Sequence, residues 1–416
     1  MFHRPFRRGR AGSLVAGVAT ALALAAPISA SAIAPADVPD IGADTGRFTL
    51  PITCDIKVPA LGNLQVLQLP GTVDIQGIAP VQLAPGQPFY LSQGAGALTL
   101  PAWLSTLGGL VTVDRADAVV DQLYIGATRS TPSSINLSTL TDLTVKDIPL
   151  VPGKPIVVGL PKTGTFNVGP YTAPQDGRTA LKFEGARATV TVRSRALGLA
   201  IKVRAYCKAA ASAGGGASLL AIAVGGPPNS TPINIQNNPL NFAKAPYNAL
   251  IGIVNAPFTC SYTGNTYNVG VAVQGTIPLA VKRGRTLPVL KASGALTVPK
   301  ETVNQWLDEG KTELGGTVTK LELVSEGATP AVTNVIPAGG IPIPPTTLVR
   351  DQKLIVPLPA TGTLTAGPFA PTATASAVIL KLGTAAANLT FDGGTASAAT
   401  CDAPFPDSIL VDAAVT

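Results

Sequence analysis

Leu160-Pro161-Lys162-Thr163-Gly164-Thr165 returns 198 residues later as Leu358-Pro359-Ala360-Thr361-Gly362-Thr363, and the reading of this pair decides the fold. Both copies fit L-P-x-T-G, the string that sortases cut when they attach exported proteins to a cell wall. An anchoring signal of that kind sits near the C-terminus, ahead of an apolar span and a basic tail. Here 54 residues follow Gly362; they carry Asp392, Asp402, Asp407 and Asp412, with no such span and no basic tail. Proline and glycine three residues apart, between β-branched runs, are instead the grammar of a strand that ends, bends and restarts. The pair is read as an equivalent structural corner in two copies of one fold.

Other segments keep the same spacing. Gly96-Ala97-Leu98-Thr99-Leu100-Pro101 matches Gly294-Ala295-Leu296-Thr297-Val298-Pro299, Thr131-Pro132 matches Thr329-Pro330, and Gly169-Pro170-Tyr171 matches Gly367-Pro368-Phe369, all offset by 198. A constant offset over such a stretch marks an internal repeat. It predicts repeats at residues 48–207 and 257–401, an Ala/Gly/Asn/Pro-rich linker at 208–256 and a tail at 402–416. Each repeat opens near one cysteine and closes at another, so the simplest of the three connectivities four cysteines allow joins Cys54 to Cys207 and Cys260 to Cys401. Loops of that length would gain at most about 5 kcal/mol each from closure on the chain-entropy view. Within each repeat Pro85-Gly86-Gln87-Pro88 is echoed by Pro152-Gly153-Lys154-Pro155. Two arrangements fit that echo: β-sandwich halves at 48–130 and 131–207 (257–328 and 329–401 in the second copy), or one larger Ig-like sandwich per repeat.

Composition agrees with an all-β class. The chain has 416 residues, 46% of them hydrophobic and 13% charged, with 43 glycines and 38 prolines that break up long helices. Its first 32 residues read as a signal peptide: Arg4, Arg7, Arg8 and Arg10, an apolar run over 14–26, then Ala30-Ser31-Ala32 as a small-residue cleavage site. Removing those four arginines takes the net charge from +7 to +3, which withdraws the main support for nucleic-acid binding. An exported chain keeps its disulfides. No apolar stretch after the signal is long enough to cross a bilayer; residues 218–224 are far too few.

Alternating β-branched and polar residues predict strands at 65–76, 99–100, 156–160, 188–192 and 199–206. In the last, Ile201, Val203 and Ala205 share one face and Lys202, Arg204 and Tyr206 the other. One short helix per repeat is expected: residues 299–314, with Val303, Trp306 and Leu307 on one face, and a turn or two at 102–107. Trp103 and Trp306 are expected to pack beneath these helices.

Catalytic patterns are sparse. His3 is the sole histidine and leaves with the signal, so no histidine-dependent triad can form. Paired cysteines supply no thiolate. Glu301, Asp308, Glu309 and Glu313 could in principle provide a glycosidase-like carboxylate pair, but their alternation with Lys300 and Lys311 suits a solvated helix face. Asp114, Asp117 and Asp121 lack the glycine turn of a calcium loop. Arg187, Arg193, Arg195, Lys202, Arg204 and Lys282-Arg283-Gly284-Arg285 could present a basic face to anionic wall polymers; a solubilising sheet face accounts for them more simply. No phosphate loop or dinucleotide fingerprint occurs, so neither cofactor nor metal is expected.

The pattern Phe258-Thr259-Cys260-Ser261-Tyr262, with Ile52-Thr53-Cys54 in the first copy, leads through a strand and a turn to Gly-Ala-Leu-Thr-Val-Pro. It resembles the uncharacterised secreted repeat proteins of actinobacteria, whose domains open on an aromatic-x-Cys segment. The first copy has Ile52 in the aromatic position, and Arg283-Gly284-Arg285 stands in the second where the first has Pro-Gly-x-Pro. The resemblance implies β-sandwich domains and carries no activity. Residues and resemblance together lead to the expectation of an exported, non-catalytic structural or binding protein of the cell envelope. The alternative is a module recognising a specific wall glycan or surface protein, with a carboxylate-dependent hydrolase behind it.

Overall fold

A computed structural model describes residues 33–45, 48–110, 113–161, 164–194, 198–210, 218–226, 249–250 and 252–416. The expected signal peptide at 1–32 and most of the expected linker lie outside them. The longer elements of the first half are β1 (Phe48–Val58), β2 (Leu64–Ala79), β3 (Pro88–Leu100), α1 (Ala102–Leu110), β4 (Arg115–Ala127), β5 (Thr144–Pro149), β6 (Ile156–Leu160), β7 (Phe166–Thr172), β8 (Gly177–Ser194), β9 (Leu199–Ala209) and β10 (Ser218–Val224). Those of the second half are β11 (Ile253–Tyr262), β12 (Asn265–Pro278), β13 (Leu287–Val298), α2 (Lys300–Asp308), β14 (Glu313–Glu326), β15 (Ile341–Thr347), β16 (Leu354–Leu358), β17 (Leu364–Pro371), β18 (Ala377–Phe391), β19 (Ser397–Cys401) and β20 (Ile409–Val415). The described residues form an all-β structure with two short α-helices.

Antiparallel pairing wraps each half into a nearly closed ring. From β1 one arm runs through β2 and β3 to β6, and the other through β9, β8 and β4 to β5. The arms meet where β5 packs beside β6. The second half shows the same order, with arms from β11 through β12 and β13 to β16, and through β19, β18 and β14 to β15. Registers correspond as well: Thr72 faces Thr99, and Gly270 faces Thr297. Pairings β3–β6 and β4–β8 cross the proposed boundary at 130/131, and β13–β16 and β14–β18 cross that at 328/329, so the division into halves is not one the hydrogen bonding respects. Eight strands closed on themselves leave an interior that is either filled by side chains or holds one small ligand.

The L-P-x-T-G segments bend without reversing the chain. β6 and β7 both run antiparallel to β3, with Leu160 opposite Gly96 and Phe166 opposite Gly94. Likewise Leu358 faces Gly294 and Leu364 faces Ala292. In the second copy, described throughout, the motif is therefore an exposed loop in a continuing strand. Proline has no N–H for the ladder, and Gly164 and Gly362 take φ of 77° and 82°, a left-handed setting suited to glycine. The Leu160-Pro161 and Leu358-Pro359 peptides are both cis.

Cys54 is bonded to Cys207 and Cys260 to Cys401, and each bridge joins directly paired residues of adjacent strands. Two composition-based assignments are corrected. Ser218–Val224 lies within the proposed linker but is a buried strand, antiparallel to β8 and parallel to Gln82–Leu83. Ile409–Val415 lies in the proposed tail but pairs the same way with β18 and Ala280–Val281. Both are apolar runs that complete a core; glycine-rich flanks and nearness to the chain end hid them.

These added strands tie the halves together. Ala180, Ala221 and Ala223 pack on Ile379 and Ile409, and Arg178 reaches Asp412 at 3.4 Å. Gly42–Asp44 pairs with β2 on one side and β11 on the other. The helices also differ from expectation. α1 is a full nine residues, while α2 ends at Asp308, because Gly310 (φ 81°) turns the chain and β14 takes Glu313 onward.

Candidate functional site

Inward side chains alternate along every ring strand, and in the second half they meet in the middle. Trp306, nearly fully buried on α2, stands 5.7 Å from the Tyr267 ring and 5.2 Å from that of Phe391, centroid to centroid. Tyr262 closes the group at 5.5 Å from Phe391. Four aromatic rings thus plug the end of this barrel beneath the helix. Lys311 covers them, with its Nζ 4.8 Å from the Phe391 ring and 2.5 Å from Glu309, and the Tyr267 hydroxyl donates to Glu309 at 2.9 Å. A cavity of only about 150 Å³ is left.

The same positions in the first half carry small or aliphatic residues. Gly108 stands for Trp306, Leu69 for Tyr267, Ile56 for Tyr262, Val192 for Phe391 and Val113 for Lys311, as the matched registers and the spacing from each first cysteine place them. Four rings and a cationic cap are missing at once, and the ring of strands does not collapse to compensate. The result is a chamber of about 590 Å³ inside the first barrel.

Its wall is apolar throughout. Residues from β1, β2, β3, α1, β4, β5, β6, β8 and β9 contribute, among them Leu98, Leu104, Val120, Ile148, Val158 and Val203. Among the described lining residues no side chain has a hydroxyl, amide or charge; the disulfide sulfurs of Cys54 and Cys207 are their only side-chain heteroatoms. The expected alternation of β9 holds, with Ile201, Val203 and Ala205 turned inward. That face looks onto a hollow and not onto a packed core. One end of the chamber rests on Leu137, whose turn is pinned by Asn136: its Oδ1 accepts from Leu123 N at 2.9 Å and from Ser138 N at 3.3 Å. Asn334 does the same for Leu321 and Ile336, at 3.0 and 3.1 Å. The sequence reading passed over both asparagines, although their offset of 198 could have flagged them.

The residues weighed earlier as chemical candidates are dispersed into local pairs. Asp117 is bound by Arg193 at 2.5 Å and accepts from the Asp147 amide, which together hold its carboxyl below the usual range. Asp121 meets Arg187 at 3.7 Å and Thr189 at 2.9 Å. Asp308 pairs with Arg350, and Glu309 with Lys311. Arg283 donates to the carbonyls of Ala373 and Ala375. Among the described residues no three metal-ligating side chains converge. Arg195 lies outside them. Trp103 corrects an expectation: it is 42% exposed, because Gly108 and not Trp103 is the counterpart of Trp306.

Burial works against the charge on Glu309, but hydrogen bonds from Lys311 and Tyr267 outweigh it and hold its pKa below the ordinary glutamate value; the same contacts raise that of Lys311 against its own desolvation. A carboxyl lowered on folding stabilises the fold above its unfolded pKa, near 4.3, and that contribution fades as pH falls through the folded value. Acidification below about pH 4 is therefore expected to loosen the aromatic plug. In a Trp103→Phe background, where Trp306 is the only indole, its emission should shift to the red over that window, and Glu309→Gln should remove the dependence.

Fold and site together define an all-β protein of two ring-closed halves, one plugged and one hollow. Residues 257–411, the plugged half, match a family of unknown function (DUF6801). No curated protein and no solved structure matches the chain.

Proposed function

We propose that this is an exported, non-catalytic binding protein of the cell envelope or extracellular space, and that its first half holds an extended apolar molecule, an acyl chain of a lipid. The observation that carries the reading is the chamber of about 590 Å³ with a wholly apolar wall. Such a space falls within the roughly 300–1,000 Å³ of small-molecule sites. An apolar cavity of about 150 Å³ stays dry and takes benzene, so this one suits a chain several times longer. A wall whose described residues bring no acid, base or nucleophile favours holding over turnover. It equally disfavours a glycan, whose hydroxyls would lose their water with nothing in return. Export rests on the N-terminal arginines, apolar run and Ala30-Ser31-Ala32, with the disulfides in keeping. The spacing of 198 supports a duplication in which one copy kept its plug and the other lost it.

The test is displacement of phenylnaphthylamine fluorescence by fatty acids of graded length, with native mass spectrometry of the purified protein for retained lipid. Affinity should climb with chain length, by at most about 0.8 kcal/mol per methylene, until the chamber is full. Absence of probe uptake, or equal competition by oligosaccharides, would sink the reading.

A further inference from the structure

The hollow barrel and the plugged one end differently. At the helix end of the first, the β1–β2 hairpin outreaches its counterpart: 14 residues separate Cys54 from its cross-strand neighbour Leu69, against six between Cys260 and Tyr267. The extension carries Leu61, Leu64, Val66 and Leu67 into solvent, Leu64 with 58% of its surface exposed. Beside it, Arg204 on β9 faces Lys57, so the β9 residues before Arg204 run out past the same tip, with Leu199 55% and Ile201 50% exposed. Exposed Leu107 and Trp103 of α1 stand at this end too. Leu67, Leu107 and Ile201 also line the chamber, so the exposed apolar rim continues into its wall.

Charge on this rim is predominantly positive. Among the described residues of the hairpin 55–68, the start of β9, α1 and the 150–155 loop, the charged side chains are the four bases Lys57, Lys154, Lys202 and Arg204 and one acid, Asp55, which accepts from Gln65 at 3.2 Å and Gln68 at 2.9 Å. Lys57 lies over the Tyr206 ring, and none of the four meets a carboxylate in an ion pair among the described residues. Asp114 follows α1, its carbonyl accepting from Leu150 N at 3.0 Å, and further along the strands Asp117 and Asp147 pair with Arg193 and Arg115. The equivalent end of the plugged barrel carries Glu301, Asp308, Glu309, Asp351 and Asp392 among its bases. Contiguous exposed aliphatic and indole side chains, flanked by unpaired lysine and arginine, are what an anionic lipid surface accepts: the apolar tips enter the acyl region and the bases remain with the headgroups.

We infer that this rim docks on an anionic bilayer, from which the chamber is loaded. The inference rests on the binding reading for its purpose, while docking itself can be measured separately. The protein from Ile33 onward is floated with vesicles of phosphatidylglycerol and phosphatidylcholine or of phosphatidylcholine alone. Binding at least ten-fold greater to the anionic vesicles, weakened by salt, is expected. Leu64→Ser with Leu199→Ser should lower it ten-fold or more, and Lys202→Glu with Arg204→Glu should erase the anionic preference. All four positions are exposed, so folding should survive, with probe uptake from solution as the check. A protein that docks but takes up no probe would refute the binding reading alone; one that takes up probe but does not float would refute docking alone. Equal binding to neutral vesicles would overturn the inference. So would concentration-dependent dimerisation abolished by Leu64→Ser, which would assign the rim to a second copy of the chain.

Discussion

Gly108→Trp is expected to abolish ligand uptake while making the protein more stable. A Cβ built on Gly108 would meet Val113 O at 3.6 Å and Val113 Cβ at 3.8 Å, ordinary contacts that need no adjustment. Beyond it lies the chamber, and the second half shows where an indole on this helix position goes. Glycine within a helix costs about 1 kcal/mol relative to alanine, and the new ring buries apolar surface against existing walls. Both effects favour the variant, which is unusual for a small-to-large change inside a core. Probe affinity should fall at least ten-fold, about 1.4 kcal/mol, and the thermal midpoint should rise. Unchanged affinity would mean that the ligand never reaches the helix end. Leu69→Tyr and Val192→Phe, added together, should complete the plug.

Trp306→Ala is the reciprocal experiment and should be the most damaging single change in the second half. Truncating a packed tryptophan costs about 3–5 kcal/mol through lost transfer energy and the cavity left behind. The indole Nε1 has no hydrogen-bond partner among the described residues, so the loss is one of volume and contact only. Tyr267 and Phe391 would each lose a neighbouring ring, and the cover made by Lys311 and Glu309 would rest on less. Urea denaturation should show a lower midpoint. Phenylnaphthylamine should gain a second, weaker site, and loss of stability without that site would mean that the second barrel collapses around the gap.

Much of the architecture was legible because it depends on local chemistry. Proline and glycine at a fixed offset located the corners, and alternation along residues 199–206 named the inward face of β9 correctly. The spacing of the cysteines pointed to bridges between the first and last ring strands. Ser218–Val224 and Ile409–Val415 were missed because an isolated apolar run gains its meaning only from the strand it lies beside. The L-P-x-T-G segment was placed correctly between strands, but its lack of reversal was invisible, since direction is set by the shared partner β3. Trp103 departs from expectation because it lies five residues out of register with Trp306, whose counterpart in space is Gly108.

From the sequence alone, an all-β chain with paired cysteines and a spacing of 198 could be deduced, because turns, alternation and cysteine placement act over a few residues at a time. Only the tertiary structure decided that one barrel is full and the other hollow. Periodicity tells which side chains point inward, but filling depends on their summed volume. Here that volume is set by Ile56, Leu69, Gly108 and Val192, which come from four separate elements and meet only when the ring closes.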